Sequence, residues 1–183
     1  HKPYFVTNDK EKYPLSDAVI DCIFTVTVFE HIPDMQHALD EIDRVLKSGG
    51  ILYFKPAWTC RPWAAQGYQV RPYSDFNILG KVYKSLIPIR NHIIYRSLLT
   101  FPKRFIFSIL FLLNKNIFKN KFFYSKISAN YEEYWQSDGD ACNKLDPFLA
   151  ILYFRSNNYQ VLNYKTFMQQ FFIKHGEIIL RKK

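Results

Sequence analysis

Between Val19 and Trp58 the sequence runs from an apolar stretch through an amphipathic one to a second apolar stretch, an order that few folds accommodate. Met35, Ala38, Leu39, Ile42, Val45 and Leu46 fall at i, i+3, i+4, i+7, i+10 and i+11, a single apolar stripe, while Asp40, Glu41, Asp43, Arg44 and Lys47 take the opposite face. A helix patterned this way packs on a sheet. Asp34 is placed to cap its first turn, Gly49 to adopt the left-handed conformation at its end, and Lys47 to lie against the terminal carbonyls. Before it, VIDCIFTVTVF (Val19 to Phe29) is β-branched and aromatic and reads as a strand buried on both faces. GILYFKPAW reads the same way after it. Tight connections between strand, helix and strand predict a right-handed βαβ crossover in a parallel sheet. Ligands of such sheets bind beyond the C-terminal strand ends, here around Thr27 to Asp34 and Lys55 to Thr59.

The chain of 183 residues is long enough for one domain with a core, or for a core with a sizeable insertion. At 48% hydrophobic and 18% aromatic residues, disorder is not expected. Cys22, Cys60 and Cys142 are far apart and odd in number, so they suggest neither a disulfide framework nor a zinc site, and a reducing, cytoplasmic setting fits. The first residues lack the charged and apolar regions of a secretion signal, so none is expected.

The stretch YPLSDAVIDCIFTVTVFEHIPDMQHALDEIDRVLKSGGILYF resembles the later half of the S-adenosylmethionine-dependent class I methyltransferases, in particular the small-molecule group that includes the ubiquinone and menaquinone enzymes. The resemblance rests on Tyr13-Pro14-Leu15, Ile20-Asp21, Phe29-Glu30-His31, Glu41 and the run Arg44 to Gly50, with Ser48 standing where the family usually has proline. It implies an α/β fold: a partial Rossmann-like class I methyltransferase sheet, holding its later strands, with a largely helical insertion. It further implies S-adenosylmethionine as cofactor, a small-molecule acceptor, and cofactor contacts from Asp9, Thr25, Val26 and Glu30. Asp9 aligns where the family places an acid that meets the adenine amino group; otherwise it is a turn residue of TNDKEKYP.

The family's Gly-rich cofactor loop has no counterpart here. The chain contains no GxG, and Gly49-Gly50 is the only adjacent pair among six glycines. The resemblance therefore leads us to expect a fragment, or a domain without its first strands, whose remaining apolar strand edge is an association hazard unless another chain, such as a second copy, or another segment covers it.

His31 is the candidate catalytic base for a hydroxyl acceptor; its alternative is a locally packed or hydrogen-bonded histidine. Some related O-methyltransferases hold a metal in this region, but Thr27 stands where they carry a further Glu, so no metal is expected. Glu41 and Arg44, three apart on the helix, read as anchoring charges.

From Phe76 to Tyr131 there is no Asp or Glu, whereas ten Lys and Arg fall in that span and account for the formal net charge of +9. Its densest apolar run, Phe105 to Leu113, is shorter than the roughly 17 to 25 residues that span a bilayer. A basic, aromatic segment without acids suits a helix on an anionic membrane surface, here over 76–127, and equally a cap whose lysines are solvated. No nucleic-acid reading motif is present. In the methyltransferase reading the segment is the cap between the fifth and sixth strands, which suggests a lipid-like or anionic acceptor, with substrate contacts from Trp58, Tyr134, Trp135 and Asp138.

LDPFLAILYFRSNNYQVLNY then predicts an N-capped helix (Asp146, Pro147), a break at Asn157-Asn158 and a strand from Tyr159 to Tyr164, and FFIKHGEIILRKK a final strand. The organisation expected is a core over 1–58, a basic helical cap over 59–145 and the end of the core over 146–183. Two alternatives stay open: a catalytically inactive peripheral membrane or interaction module, and another doubly wound α/β enzyme.

Overall fold

The structure is a computed structural model that describes residues 12–58, 60–64, 67–130 and 139–183. Strand β1 (Ile20–Val26), helix α1 (Met35–Val45) and strand β2 (Leu46–Lys55) form the expected parallel unit, with Ile23 opposite Leu52 and Thr25 opposite Phe54. The insertion supplies α2 (Ile78–Ser85), α3 (Ile87–Asn91), α4 (Ile93–Leu113) and a short antiparallel ribbon, β3 (Ser125–Lys126) with β4 (Asn143–Lys144). Helix α5 (Pro147–Ser156), β5 (Tyr159–Val161), α6 (Phe167–Phe171) and β6 (Ile178–Lys182) complete the chain. The sheet order is β1-β2-β6-β5, with β6 antiparallel to both neighbours. A helix, a sixth strand and an antiparallel seventh beside the fifth is the way a Rossmann-like methyltransferase sheet ends, and the mixed α/β architecture is that of its later part.

Helix α1 forms where its stripe predicts, and all six stripe residues are buried. The Asp34 side chain accepts from the amide of His37, as an N-cap should. Its C-terminal end differs from expectation. The helix stops at Val45, because Leu46 is already extended and paired with Ile20, so Gly49 takes its positive φ of 80° after the helix rather than as its cap. Gly50 has a separate reason to be glycine: a Cβ there would sit 2.8 Å from the Lys47 carbonyl oxygen and from Leu46 Cδ1.

A second correction concerns β1, which is not buried on both faces. Ile23 and Thr25 turn toward the covered side, whereas Phe24 is 72% exposed and Val26 48%. Among the described residues β1 pairs with β2 alone, so its outer edge and one face meet no other element. The core lies on the other side, where the fully buried Phe54 ring meets Phe29, Trp58 and Phe154 at centroid distances of 4.9, 5.7 and 5.3 Å. Helix α5 is buried almost all round, which its uniformly apolar sequence requires. Asn158 follows it at a φ of 63°, so an asparagine fills the left-handed position where the family usually has glycine.

The insertion is less enclosed. Ile78, Leu79, Leu98, Phe105, Leu112 and Leu113 are each more than half exposed. Among the described residues no helix is long and apolar enough to cross a membrane; α4 carries Pro102 and the basic residues Arg96, Lys103 and Arg104.

Arg44 anchors the chain before β1 to α1. Its guanidinium donates to both carboxylate oxygens of Glu41, to Asp17 Oδ1, and to the carbonyls of Tyr13 and Leu15, while the Tyr13 amide donates to Glu41 Oε2. The anchoring role expected of this pair is what the geometry contains. The Arg44 hydrogen bonds, helped by that amide, hold Glu41 down from its ordinary 4.5 to about 2 against the opposing effect of desolvation. Because the folded-state value is depressed, this stabilisation is complete above pH 4.5 and is lost as pH falls toward 2. Melting temperature measured across that window should fall less steeply for Glu41→Gln than for the unaltered chain, although the variant starts lower.

Candidate functional site

β1 ends in a turn that its sequence does not favour. Thr27, β-branched, sits at a φ of 49°, held by its amide hydrogen bond to the Lys55 carbonyl and by its hydroxyl on the Val26 carbonyl. Strained backbone of this kind costs roughly 1–3 kcal/mol and concentrates at functional sites. The turn closes with the His31 amide donating to the Val28 carbonyl at 2.9 Å, and it sets Phe29, Glu30 and His31 just beyond the strand tip.

The β3–β4 ribbon meets this tip from the insertion side. The Glu30 carbonyl accepts from the amides of Cys142 at 2.8 Å and Asn143 at 3.0 Å. The Asn143 side chain, fully buried, donates to the carbonyls of Phe29 at 3.1 Å and Ile32 at 2.6 Å. These bonds tie the tip of β1 to residues more than a hundred positions later. The Cys142 thiol also points at the Glu30 carbonyl, and desolvation pushes it above its ordinary value, which makes it a packing group and not a nucleophile.

Three titratable side chains converge there. Glu30 is wholly buried, and neither of its carboxylate oxygens accepts a hydrogen bond. His31, about one third exposed, lies between two acids, with Nε2 at 3.6 Å from Glu30 Oε1 and Nδ1 at 3.4 Å from Asp140 Oδ2. These are ion-pair distances and not formed hydrogen bonds. An imidazole so flanked has a carboxylate facing each of its ring nitrogens.

The other anticipated residues fall as follows. Thr25 is buried, its hydroxyl donating to the Tyr53 carbonyl at 3.4 Å, and Val26 is half-exposed at the strand end. Trp58 is buried and donates to the Gly176 carbonyl at 2.7 Å, so its indole nitrogen is committed to holding the core while the residue borders a cleft under the insertion. Asp9, Tyr134, Trp135 and Asp138 lie outside the described residues. Asn143 carries no role in the sequence pattern, and only its position after the acidic loop SDGDAC hints at one. Nor does any local pattern announce the cleft, about 400 Å³ in volume, between α4, the ribbon and the segment after β2. Among the described residues no group of three or more His, Cys, Asp or Glu is arranged to hold a metal ion.

S-adenosylmethionine fits the strand tip in part. The open, apolar end of β1 offers a wall, and the buried Glu30 carboxylate, which accepts no hydrogen bond, supplies negative charge at the strand tip. No described residue supplies a glycine-rich amide cradle.

Residues 1–54 match the family model of a methyltransferase domain. The match covers β1, α1 and nearly all of β2 and indicates methyl transfer; members of this family generally use S-adenosylmethionine. No solved structure matches the chain.

Removing the side chain that joins ribbon to tip should show in stability. Asn143→Ala leaves two buried carbonyls without donors and should cost about 2–4 kcal/mol. Chemical denaturation should report a lower midpoint with an unchanged slope.

Proposed function

We propose that this chain carries the catalytic half of an S-adenosylmethionine-dependent methyltransferase acting on a lipid-like or anionic small molecule, of the kind the ubiquinone-type enzymes represent. The observation that carries the reading is the histidine held between two carboxylates at the tip of a parallel strand, inside the segment that matches a methyltransferase domain. Bound, the cofactor supplies an activated methyl group on a sulfonium. The remaining work is alignment, exclusion of water and removal of one proton.

The residues divide that work. Thr25, Val26 and Glu30 lie on the cofactor side, with Glu30 as the buried negative charge, and the adenine contact is assigned to Asp9 on the resemblance alone. With the cofactor bound, His31 would be the residue to take the proton of an acceptor hydroxyl, and Glu30 and Asp140 would keep its ring oriented. Trp58 borders the cleft on the acceptor side, and Tyr134, Trp135 and Asp138 are assigned acceptor contacts on the resemblance alone.

Calorimetric titration of S-adenosylmethionine into the chain is the direct test. Measurable binding, weakened by Glu30→Gln and kept by His31→Ala, is expected, together with a fall of roughly a hundredfold or more in label transfer from the cofactor for His31→Ala. Absence of cofactor binding by a folded chain would refute the reading. Equal label transfer by His31→Ala would remove the histidine from the chemistry.

A further inference from the structure

The cleft under the insertion gathers Arg61, Arg90, Arg96, Lys103, Lys144 and Lys174 on its walls. They come from four separate parts of the chain, so helix periodicity alone does not explain their convergence. Among the described residues none of the six has a carboxylate within ion-pair distance: the cleft's one acid, Asp146, is already held by Arg104, whose Nε lies 3.1 Å from each of its oxygens and whose Nη2 lies 3.0 Å from Oδ1. That pair is electrically closed and leaves six cationic side chains on the cleft lining, of which Arg90 also stacks on the Tyr83 ring at 4.6 Å.

Two further observations bear on what would fill it. Lys144 is open to the cleft, yet its ammonium is held below the usual lysine value, first by desolvation and then by the like charges of Arg96 and Lys103. Trp63, 8% exposed and lining the same cleft, keeps an indole N–H that meets no acceptor. An unspent buried donor beside uncompensated cations calls for an acceptor that carries negative charge.

We infer that this cleft is the binding site for a phosphate or diphosphate group. Lys144, Arg96 and Lys103 neutralise its oxygens, on the wall that also holds Trp63. Lys144 follows Asn143 on β4, so the ribbon that anchors the β1 tip also presents a cation to the cleft. Assigning the anion to the methyl acceptor rests on the methyl-transfer reading; the anion site itself does not.

The test is titration of inorganic pyrophosphate into the full chain at low salt without S-adenosylmethionine, so its failure is distinguishable from failure of the cofactor titration. Saturable binding should weaken roughly tenfold or more in Lys144→Gln and in Arg96→Gln, and hardly change in a Lys81→Ala/Lys119→Ala control, whose lysines are exposed outside the cleft. Pyrophosphate should also protect Lys144 from acetylation by acetic anhydride, a readout that needs no substitution. Vesicles rich in phosphatidylglycerol form the second arm. Vesicle binding that pyrophosphate competes away identifies a lipid headgroup, and pyrophosphate binding without vesicle binding identifies a soluble phosphorylated ligand; either supports the site. No pyrophosphate binding, or equal loss in the control, would overturn it.

Discussion

β2 is the strand on which the architecture depends. Parallel β1 lies on one side of it and antiparallel β6 on the other, and its Phe54 joins the rings contributed by the β1 turn, the segment after β2 and α5. A strand with two hydrogen-bonded neighbours has no free backbone groups in its paired stretch, so its register fixes both partners. That register places the end of β1 beside Lys55 and so sets where the strained Thr27 turn begins. The site is in this sense a consequence of how β2 is paired.

The parts of this arrangement that follow from neighbours in sequence are legible in the residues themselves. Helix α1, its Asp34 cap, the Glu41–Arg44 anchor and the helix opened by Asp146 and Pro147 depend on spacing within one or two turns, and all four are present. Where local pattern misleads, a distant partner decides. α1 ends before its glycine because Leu46 is claimed by Ile20 in the sheet, and β1 exposes Phe24 because burial depends on what covers the far face, which β-branched composition does not record. The candidate site divides likewise. Glu30 and His31 stand out by motif, while Asp140, Asn143 and Lys144 reach the tip or the cleft through a ribbon whose pairing depends on residues far away in the chain.

Charge is arranged differently in the two halves. In the core, ionic groups are matched: Arg44 with Glu41 and Asp17, and Lys182 with Asp43. In the insertion most are not, since the span from Phe76 to Tyr131 contains no acid at all. Asp146 crosses between the regimes, capping α5 through the amides of Phe148 and Leu149 while holding Arg104 of α4.

The position of β6 has a consequence for how the molecule assembles. Leu180 pairs with Leu52, a separation of 180 − 52 = 128 residues, and the whole insertion is synthesised between them. Closing a loop of that length costs roughly 4 kcal/mol of chain entropy before any pairing rewards it. During synthesis β2 must wait with one edge bare while an apolar, basic insertion emerges beside it. On topology alone, α1 is expected to fold against the β1–β2 pair first and β6 to join last, a step set by sequence separation and not by the strength of any single contact.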